Sequence, residues 1–148
     1  MKSELKVRLA EHAFGMIATR TEASTGKIPA DEVVRETAAY LKWFEEVQGD
    51  VNNAMVLTYE QTLDILILAA AIAHPVPDNP TDQLHHASQL LDWLVSRHKK
   101  NPLISIQDLM SLVSLSSATD EGEPDTIQNI LKRTQKYVDL FHLGPKLN

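Results

Sequence analysis

Apolar positions are densest between residues 63 and 73, where ten of eleven residues are apolar and the exception is Asp64. This segment is too short to cross a bilayer, since a membrane-spanning helix needs about 20 apolar residues. Thr58 and Gln61 precede it with the spacing of a capping box, in which both side chains accept hydrogen bonds from backbone N–H groups. The pattern predicts a helix over residues 59–73 that is apolar nearly all round and is stable only when other helices surround it.

Five further segments repeat apolar residues at the spacing of a helix. Caps, prolines and glycines at their ends predict helices over residues 3–23, 29–48, 80–100, 106–113 and 124–142, with a loop at 50–56 and an exposed turn at 114–122. The segment at 75–80 contains three prolines and predicts a stiff connector that is short for a domain linker. We therefore predict a single all-α domain over residues 1–148, a bundle of about six helices packed around the helix at 59–73.

The same spacing assigns an inward face to the first two helices. In the first helix the inward positions are Leu9, Ala13, Met16 and Ile17, widened by Val7 and Phe14. In the second helix the inner stripe is Val33, Val34, Thr37, Leu41 and Phe44, extended on one flank by Tyr40, Trp43 and Val47. Because aromatic residues make up only 5% of the chain, the predicted core is largely aliphatic.

The composition narrows the function classes. A net charge of −6 and a pI near 5.4 argue against indiscriminate binding to nucleic acid or to anionic membranes. The absence of cysteine excludes disulfides, thiolate metal sites and a cysteine nucleophile. Charged residues interrupt the N-terminal segment every second or third position, so it does not have the pattern of a signal peptide. We expect a soluble, cytoplasmic protein.

Asp64 is the one carboxylate inside the apolar segment. If it were buried, its pKa would be raised and it could act as an acid, a base or a ligand. However, Glu60, Asp64, Ala71 and His74 fall on one narrow strip of the predicted helix. Since charged residues are rarely buried without a partner, we expect this strip to touch water.

The sequence motifs for metal binding and catalysis are incomplete or absent. Asp82 and His85 have helical ligand spacing, but the adjacent His86 points about 100° away and cannot share the same ion on a regular helix. The chain has no Glu-x-x-His motif, no Gly-x-Ser-x-Gly motif and no glycine-rich phosphate loop. We therefore expect no catalytic residues, no metal and no cofactor.

Trp93 projects away from the leucine stripe of its helix. It shares this face with polar residues about one turn apart: Asp82, His86, Gln89 and Arg97. A tryptophan among polar neighbours is typical of a binding hot spot, although another helix covering the ring would explain the same pattern. Trp43, beside Glu36 and Tyr40, carries the same signal more weakly.

The C-terminal part of the chain, residues 80–144, resembles a winged helix-turn-helix module in the order of its elements. The stretch at 105–113 resembles the scaffold helix of that fold, and the next helix would be its recognition helix. The solvent face of that helix would present Gln128, Asn129, Lys132, Arg133 and Lys136, the residue types that contact bases and phosphates. The long acidic turn and the short remainder for a wing count against this interpretation, and a solvated basic face explains the same residues.

Two functions follow from these patterns. The first is a non-enzymatic helical protein-interaction or regulatory module that binds a protein partner, or a second copy of itself, through the surface of the helix at 80–98 around Trp93. The alternative is a winged-helix-like, DNA-binding transcriptional regulator that uses the helix at 124–142. The sequence does not identify the partner.

Overall fold

The computed structural model describes residues 2–21, 27–72, 76–119 and 122–147, with side chains at positions 3–140 of those ranges. Its helices are α1 (Lys2–Arg20), α2 (Ala30–Gly49), α3 (Val51–Ala54), α4 (Tyr59–Ile72), α5 (Pro80–Lys100), α6 (Ile106–Ser117) and α7 (Ile127–Leu147). The described ranges contain no strand. The chain is an all-α single-domain bundle, as the sequence predicts. The short helix α3 occupies part of the predicted loop.

Helix α4 lies at the centre of the bundle and packs against α2, α5 and α6. Its buried side chains are Thr62, Leu63, Ile65, Leu66, Ala69, Ala70 and Ile72. The predicted capping box is confirmed, because the Gln61 N–H donates to Thr58 Oγ1 and the Thr58 N–H donates to Gln61 Oε1, each at 3.1 Å. Two otherwise unpaired N–H groups are therefore satisfied where α4 begins.

Removing this cap gives a first test of the fold. We expect Thr58→Ala to lower the free energy of unfolding by about 1 kcal/mol, because the Gln61 N–H loses its acceptor. Thr58→Ser keeps the hydroxyl and is expected to change the free energy by no more than a few tenths of a kcal/mol. Urea denaturation of both variants measures the difference. Equal losses in the two variants would contradict a capping role for the hydroxyl.

Helix α1 follows the predicted face only in part. Leu9, Ala13, Met16 and Ile17 are buried, as predicted. The predicted widening of this face is wrong, since Val7 is 57% exposed and Phe14 is 52% exposed. Both side chains lie on the outer side of α1, because one face of this helix is turned toward the bundle.

In α2 the buried face is rotated about the helix axis relative to the predicted stripe. The buried apolar residues are Tyr40, Trp43, Phe44 and Val47, whereas Val34 is 65% exposed. The residues assigned to a flank are therefore the centre of the covered face. This orientation also carries Glu36 into the interior, where it is 5% exposed.

The turn between α6 and α7 lies further along the chain than predicted, at residues 118–126 and not at 114–122. Helix α6 begins after its predicted cap, Ser105, whose Oγ accepts from the Asp108 N–H at 3.0 Å. It continues to Ser117, because Ser116 donates to the Leu112 carbonyl and accepts from the Thr134 hydroxyl, each at 2.9 Å. The Ser116 hydroxyl is satisfied inside the bundle, so this residue extends α6 and does not open a turn.

Helix α7 begins three residues later than predicted. The Asn129 N–H donates to Thr126 Oγ1 at 3.2 Å, so Thr126 takes the capping position ahead of Ile127. The helix then runs past the predicted end to Leu147. The residues from which a wing would have to be built therefore belong to α7.

Candidate partner-binding surface on α5 and α7

Helices α5 and α7 contact each other near the end of α5. Arg97 Nε donates to Gln135 Oε1 at 2.5 Å. One turn further along, Lys100 and Asp139 line the same cleft of about 320 Å³ between the two helices.

Trp93 is half-buried and packs against the core cluster. The guanidinium carbon of Arg97 lies 5.4 Å from the centroid of its ring, which is a cation–π distance. Since Arg97 is also bonded to Gln135, it is held over the ring from the α7 side. The ring is thus anchored on one side, and part of it remains accessible to another molecule.

The other predicted partner-binding residues of α5 lie on the same face. His86 and Gln89 are half-buried, and Asp82 is exposed. The His86 Nδ1 atom is buried and makes no hydrogen bond to any described residue. Burial lowers the pKa of His86, and the neighbouring His85 lowers it further. His86, Gln89 and Trp93 thus continue the stripe that ends at Arg97.

The structure places Trp43 elsewhere. It is 7% exposed, and its indole Nε1 donates to Ser88 Oγ at 3.0 Å. Trp43 therefore joins α2 to α5 inside the bundle, and its side chain does not contribute to the surface around Trp93. The expectation that it presents a second anchor is wrong in this fold, because α5 covers the ring.

The predicted recognition helix presents fewer of its residues than expected. Gln128, Lys132 and Lys136 are exposed. Asn129 is half-buried, and its side-chain amide donates to the Pro124 carbonyl at 2.9 Å. The bond holds this side chain at the start of α7.

Arg133 is the clear correction on this helix. It is 1% exposed, so its predicted place on the solvent face is wrong. Its Nη2 donates to Asp125 Oδ1 at 2.7 Å, whereas Nε and Nη1 make no hydrogen bond to the described residues. The position is buried in the bundle, and the carboxylate of Asp125 supplies a counter-charge.

The structure joins the predicted stripe of α5 to α7 through Gln135, a residue that belongs to neither predicted set. We define the α5–α7 surface as His86, Gln89, Trp93, Arg97 and Lys100 of α5 with Gln135 and Asp139 of α7. Of these residues, Arg97, Lys100, Gln135 and Asp139 line the cleft between the two helices.

A buried polar network lies on the other side of the bundle and was not predicted from the sequence. Arg20 Nη1 donates to Glu36 Oε1 at 2.5 Å, and the Tyr40 hydroxyl donates to the second oxygen of the same carboxylate. The Tyr40 oxygen is 2.6 Å from Gln83 Oε1, and Gln83 Nε2 is 2.5 Å from His12 Nε2. The network therefore ties α1 and α2 to α5.

Burial is the main reason that Tyr40 stays protonated. It raises the pKa of the Tyr40 hydroxyl far above its ordinary value, and the hydrogen bond to Glu36 raises it further. The spacing of Glu36 and Tyr40, four residues apart on one helix, was the only signal in the sequence. Their partners come from distant helices, so the sequence alone could not identify them.

His12 predicts a pH dependence of stability. Burial lowers its pKa from the ordinary value of 6.5, and the Glu36 carboxylate offsets part of this effect. The unfolded chain therefore binds a proton on His12 more readily than the folded chain does. The contribution of His12 to stability is fully present above the unfolded-state pKa, and it is lost as the pH falls through the folded-state pKa. We expect the acid-side loss of unfolding free energy to be smaller in His12→Gln than in the parent chain.

The control for this prediction is His85→Gln, at an exposed position of α5. We expect this variant to keep the pH profile of the parent chain. The free energy of unfolding is measured by urea denaturation from about pH 5 to about pH 7.5, around the ordinary histidine pKa. Parallel profiles for His12→Gln and the parent chain would show that His12 does not titrate between the folded and unfolded states as described.

Asp64 lies beside α1 near the start of α4. It is half-buried, whereas Glu60 and Ala71 of the same predicted strip are exposed and His74 lies outside the described residues. Burial raises the pKa of Asp64, the Glu60 carboxylate raises it further, and Arg8 opposes both effects. Arg8 Nη1 also donates to Glu60 Oε2 at 2.8 Å. The strip is thus the partly wetted side of α4, as the sequence predicts.

Among the described residues, no cluster of three or more histidine, aspartate or glutamate side chains could hold a metal ion. No described helix is long and apolar enough to cross a membrane. Comparisons with protein-family models, with curated proteins and with solved structures found no match.

Proposed function

We propose that this protein is a helical interaction module that binds a protein partner through the α5–α7 surface. The observation that carries the proposal is the state of Trp93, whose ring is half-buried, backed by the core and covered in part by Arg97. A large ring that is already ordered loses little conformational freedom when a partner covers it, and tryptophan and arginine are the residues most enriched at binding hot spots.

DNA binding is the weaker proposal. Of the five residues predicted to contact DNA, Arg133 is buried and Asn129 is bonded to the Pro124 carbonyl. The chain also carries a net charge of −6, which opposes approach to a phosphate backbone. These features favour a protein partner over a duplex.

Site-specific photo-crosslinking tests the proposal in cells that produce the full chain. We expect a photoreactive residue at Lys100, which is exposed and lines the same cleft as Arg97, to form a covalent adduct with the partner. The matched control is the same photoreactive residue at Lys42, an exposed position of α2. An adduct with twice the mass of the chain would identify the partner as a second copy.

Trp93→Ala then tests whether the adduct depends on the proposed anchor. We expect this substitution to weaken the complex by about 2 kcal/mol, or about 30-fold in Kd, while the free protein keeps a cooperative unfolding transition. Adducts at position 100 that persist in Trp93→Ala would contradict the proposal. Loss of folding in Trp93→Ala would also contradict it, because the ring would then belong to the core.

A further inference from the structure

We propose that a cavity between the end of α1, the first turns of α2 and the start of α5 binds a free α-amino acid with an apolar side chain. The cavity has a volume of about 480 Å³, within the range of about 300–1,000 Å³ that is usual for small-molecule sites. None of its lining residues belongs to the α5–α7 surface, so the proposal goes beyond the function proposed above.

One wall of the cavity is held in place by the largely buried side chain of Arg20. Its Nε donates to the Pro77 carbonyl at 2.9 Å, and its Nη1 donates to Glu36 Oε1 at 2.5 Å. These bonds join α1, α2 and the segment before α5, so the wall is formed before any ligand arrives. The third nitrogen, Nη2, is buried and makes no hydrogen bond to a described residue, which favours a ligand that brings an acceptor oxygen.

Charges of both signs remain unpaired around the cavity. Five charged residues line it, and two of them, Arg20 and Glu36, neutralise each other. The other three are Arg35, Glu32 and Asp78, which are exposed and form no ion pair with any described residue. The remaining charged residues of these stretches do not line the cavity: Lys27, Asp31 and Asp82. One cation and two carboxylates thus border the same space without pairing with one another.

These charges select a zwitterion over a simple ion. A simple carboxylate would meet Arg35 but would also face Glu32 and Asp78, and a simple amine would leave Arg35 without a partner. An α-amino acid offers a carboxylate to Arg35 and an ammonium group to Glu32 and Asp78. Hydrogen bonds between such ionised groups are about twice as strong as those between neutral groups.

The apolar part of the lining selects the side chain of the ligand. Ile17 of α1 and Pro80 of α5 line the cavity, and more of the lining surface is apolar than polar. An aliphatic or aromatic side chain gains free energy when it leaves water for such a surface. The site therefore favours the larger apolar amino acids over glycine and over amino acids with polar side chains.

Isothermal titration calorimetry of the full chain tests the proposal with free leucine, isoleucine, valine, methionine and phenylalanine. The amino acid that binds most tightly is compared with two analogues that each lack one charged group. For leucine these are 4-methylpentanoate, which lacks the ammonium group, and 3-methylbutylamine, which lacks the carboxylate.

Two variants each remove one proposed contact, Arg35→Gln for the carboxylate and Asp78→Asn for the ammonium group. Their matched controls are Lys42→Gln and Asp92→Asn, which make the same changes of charge at exposed positions of α2 and α5 outside the cavity.

We expect at least one of the five amino acids to bind, and both of its analogues to bind about tenfold more weakly or worse, because each loses hydrogen bonds between charged groups. Arg35→Gln and Asp78→Asn should weaken binding of the amino acid by a similar factor, whereas the two control variants should bind it like the parent chain. In Arg35→Gln the amino acid should lose its advantage over the amine analogue, since neither then has the contact between carboxylate and guanidinium.

Three outcomes would overturn the proposal. If none of the five amino acids bound, the cavity would not be a site for this class of ligand. An analogue that bound as tightly as the amino acid would make the cavity a site for a simple ion. Binding that persisted unchanged in both Arg35→Gln and Asp78→Asn would place the amino acid elsewhere on the chain. Each of these results would leave the function proposed for the α5–α7 surface standing.

Discussion

Replacing Glu36 with alanine is expected to lower the free energy of unfolding by about 3–5 kcal/mol, a large part of the total for a domain of this size. Glu36 is 5% exposed and holds both the Arg20 guanidinium and the Tyr40 hydroxyl. Its removal leaves the part-buried Arg20 guanidinium without its counter-charge, whereas the Tyr40 hydroxyl keeps Gln83 Oε1 as an acceptor. Chemical denaturation followed by circular dichroism measures the loss.

The control for this prediction is Glu45→Ala, an exposed glutamate of the same helix, for which we expect a change within about 0.5 kcal/mol. A second variant, Arg20→Met with Glu36→Leu, removes both charges and should recover much of the lost stability, because the cost arises from the unpaired charge. If Glu36→Ala were as stable as Glu45→Ala, the network would not contribute to holding α1 on the bundle.

Truncating Leu66 is expected to have the second large effect. This side chain is fully buried at the centre of α4, which contacts three other helices. Leu66→Ala removes apolar contacts and leaves a cavity, and we expect a loss of about 2–5 kcal/mol in the free energy of unfolding. The measurement is the midpoint and slope of urea denaturation, with an unchanged slope indicating an unchanged native fold.

Ile67→Ala is the matched control for Leu66→Ala. The two residues are neighbours on α4, but Ile67 is 37% exposed. We expect a loss of about 1 kcal/mol or less for Ile67→Ala, since alanine also favours the helix. Equal losses at the two positions would mean that α4 is not oriented in the bundle as described.

The helices could be predicted because the patterns that identify them lie within short stretches of the sequence. The continuous apolar run identifies α4, and the caps at Thr58 and Ser105 mark two helix starts that the structure confirms. The buried faces of the helices were harder to predict, since the helical period allows either Val34 or Tyr40 to lie on the covered side of α2. The outcome depends on polar partners for Tyr40, and Gln83 lies more than 40 residues away in the chain.

The α5–α7 surface shows the same division between local and tertiary information. The stripe that contains Trp93 follows from the period of α5 alone. The sequence could not show that this stripe meets α7 through the bond between Arg97 and Gln135. Nor could it distinguish Lys132 from Arg133, which are adjacent cations about 100° apart on the helix. Packing of α7 in the bundle buries Arg133 and leaves Lys132 in solvent.

The position of α4 in the chain sets an order for biosynthesis. Helices α1 and α2 leave the ribosome first and can pair with each other, because their contacts are close in sequence. Helix α4 then emerges apolar on most sides, and the helices that cover it, α5 and α6, follow later. Until Ser117 has been translated, the most apolar segment of the nascent chain lacks part of its cover, and we expect chaperones to contact it during this interval.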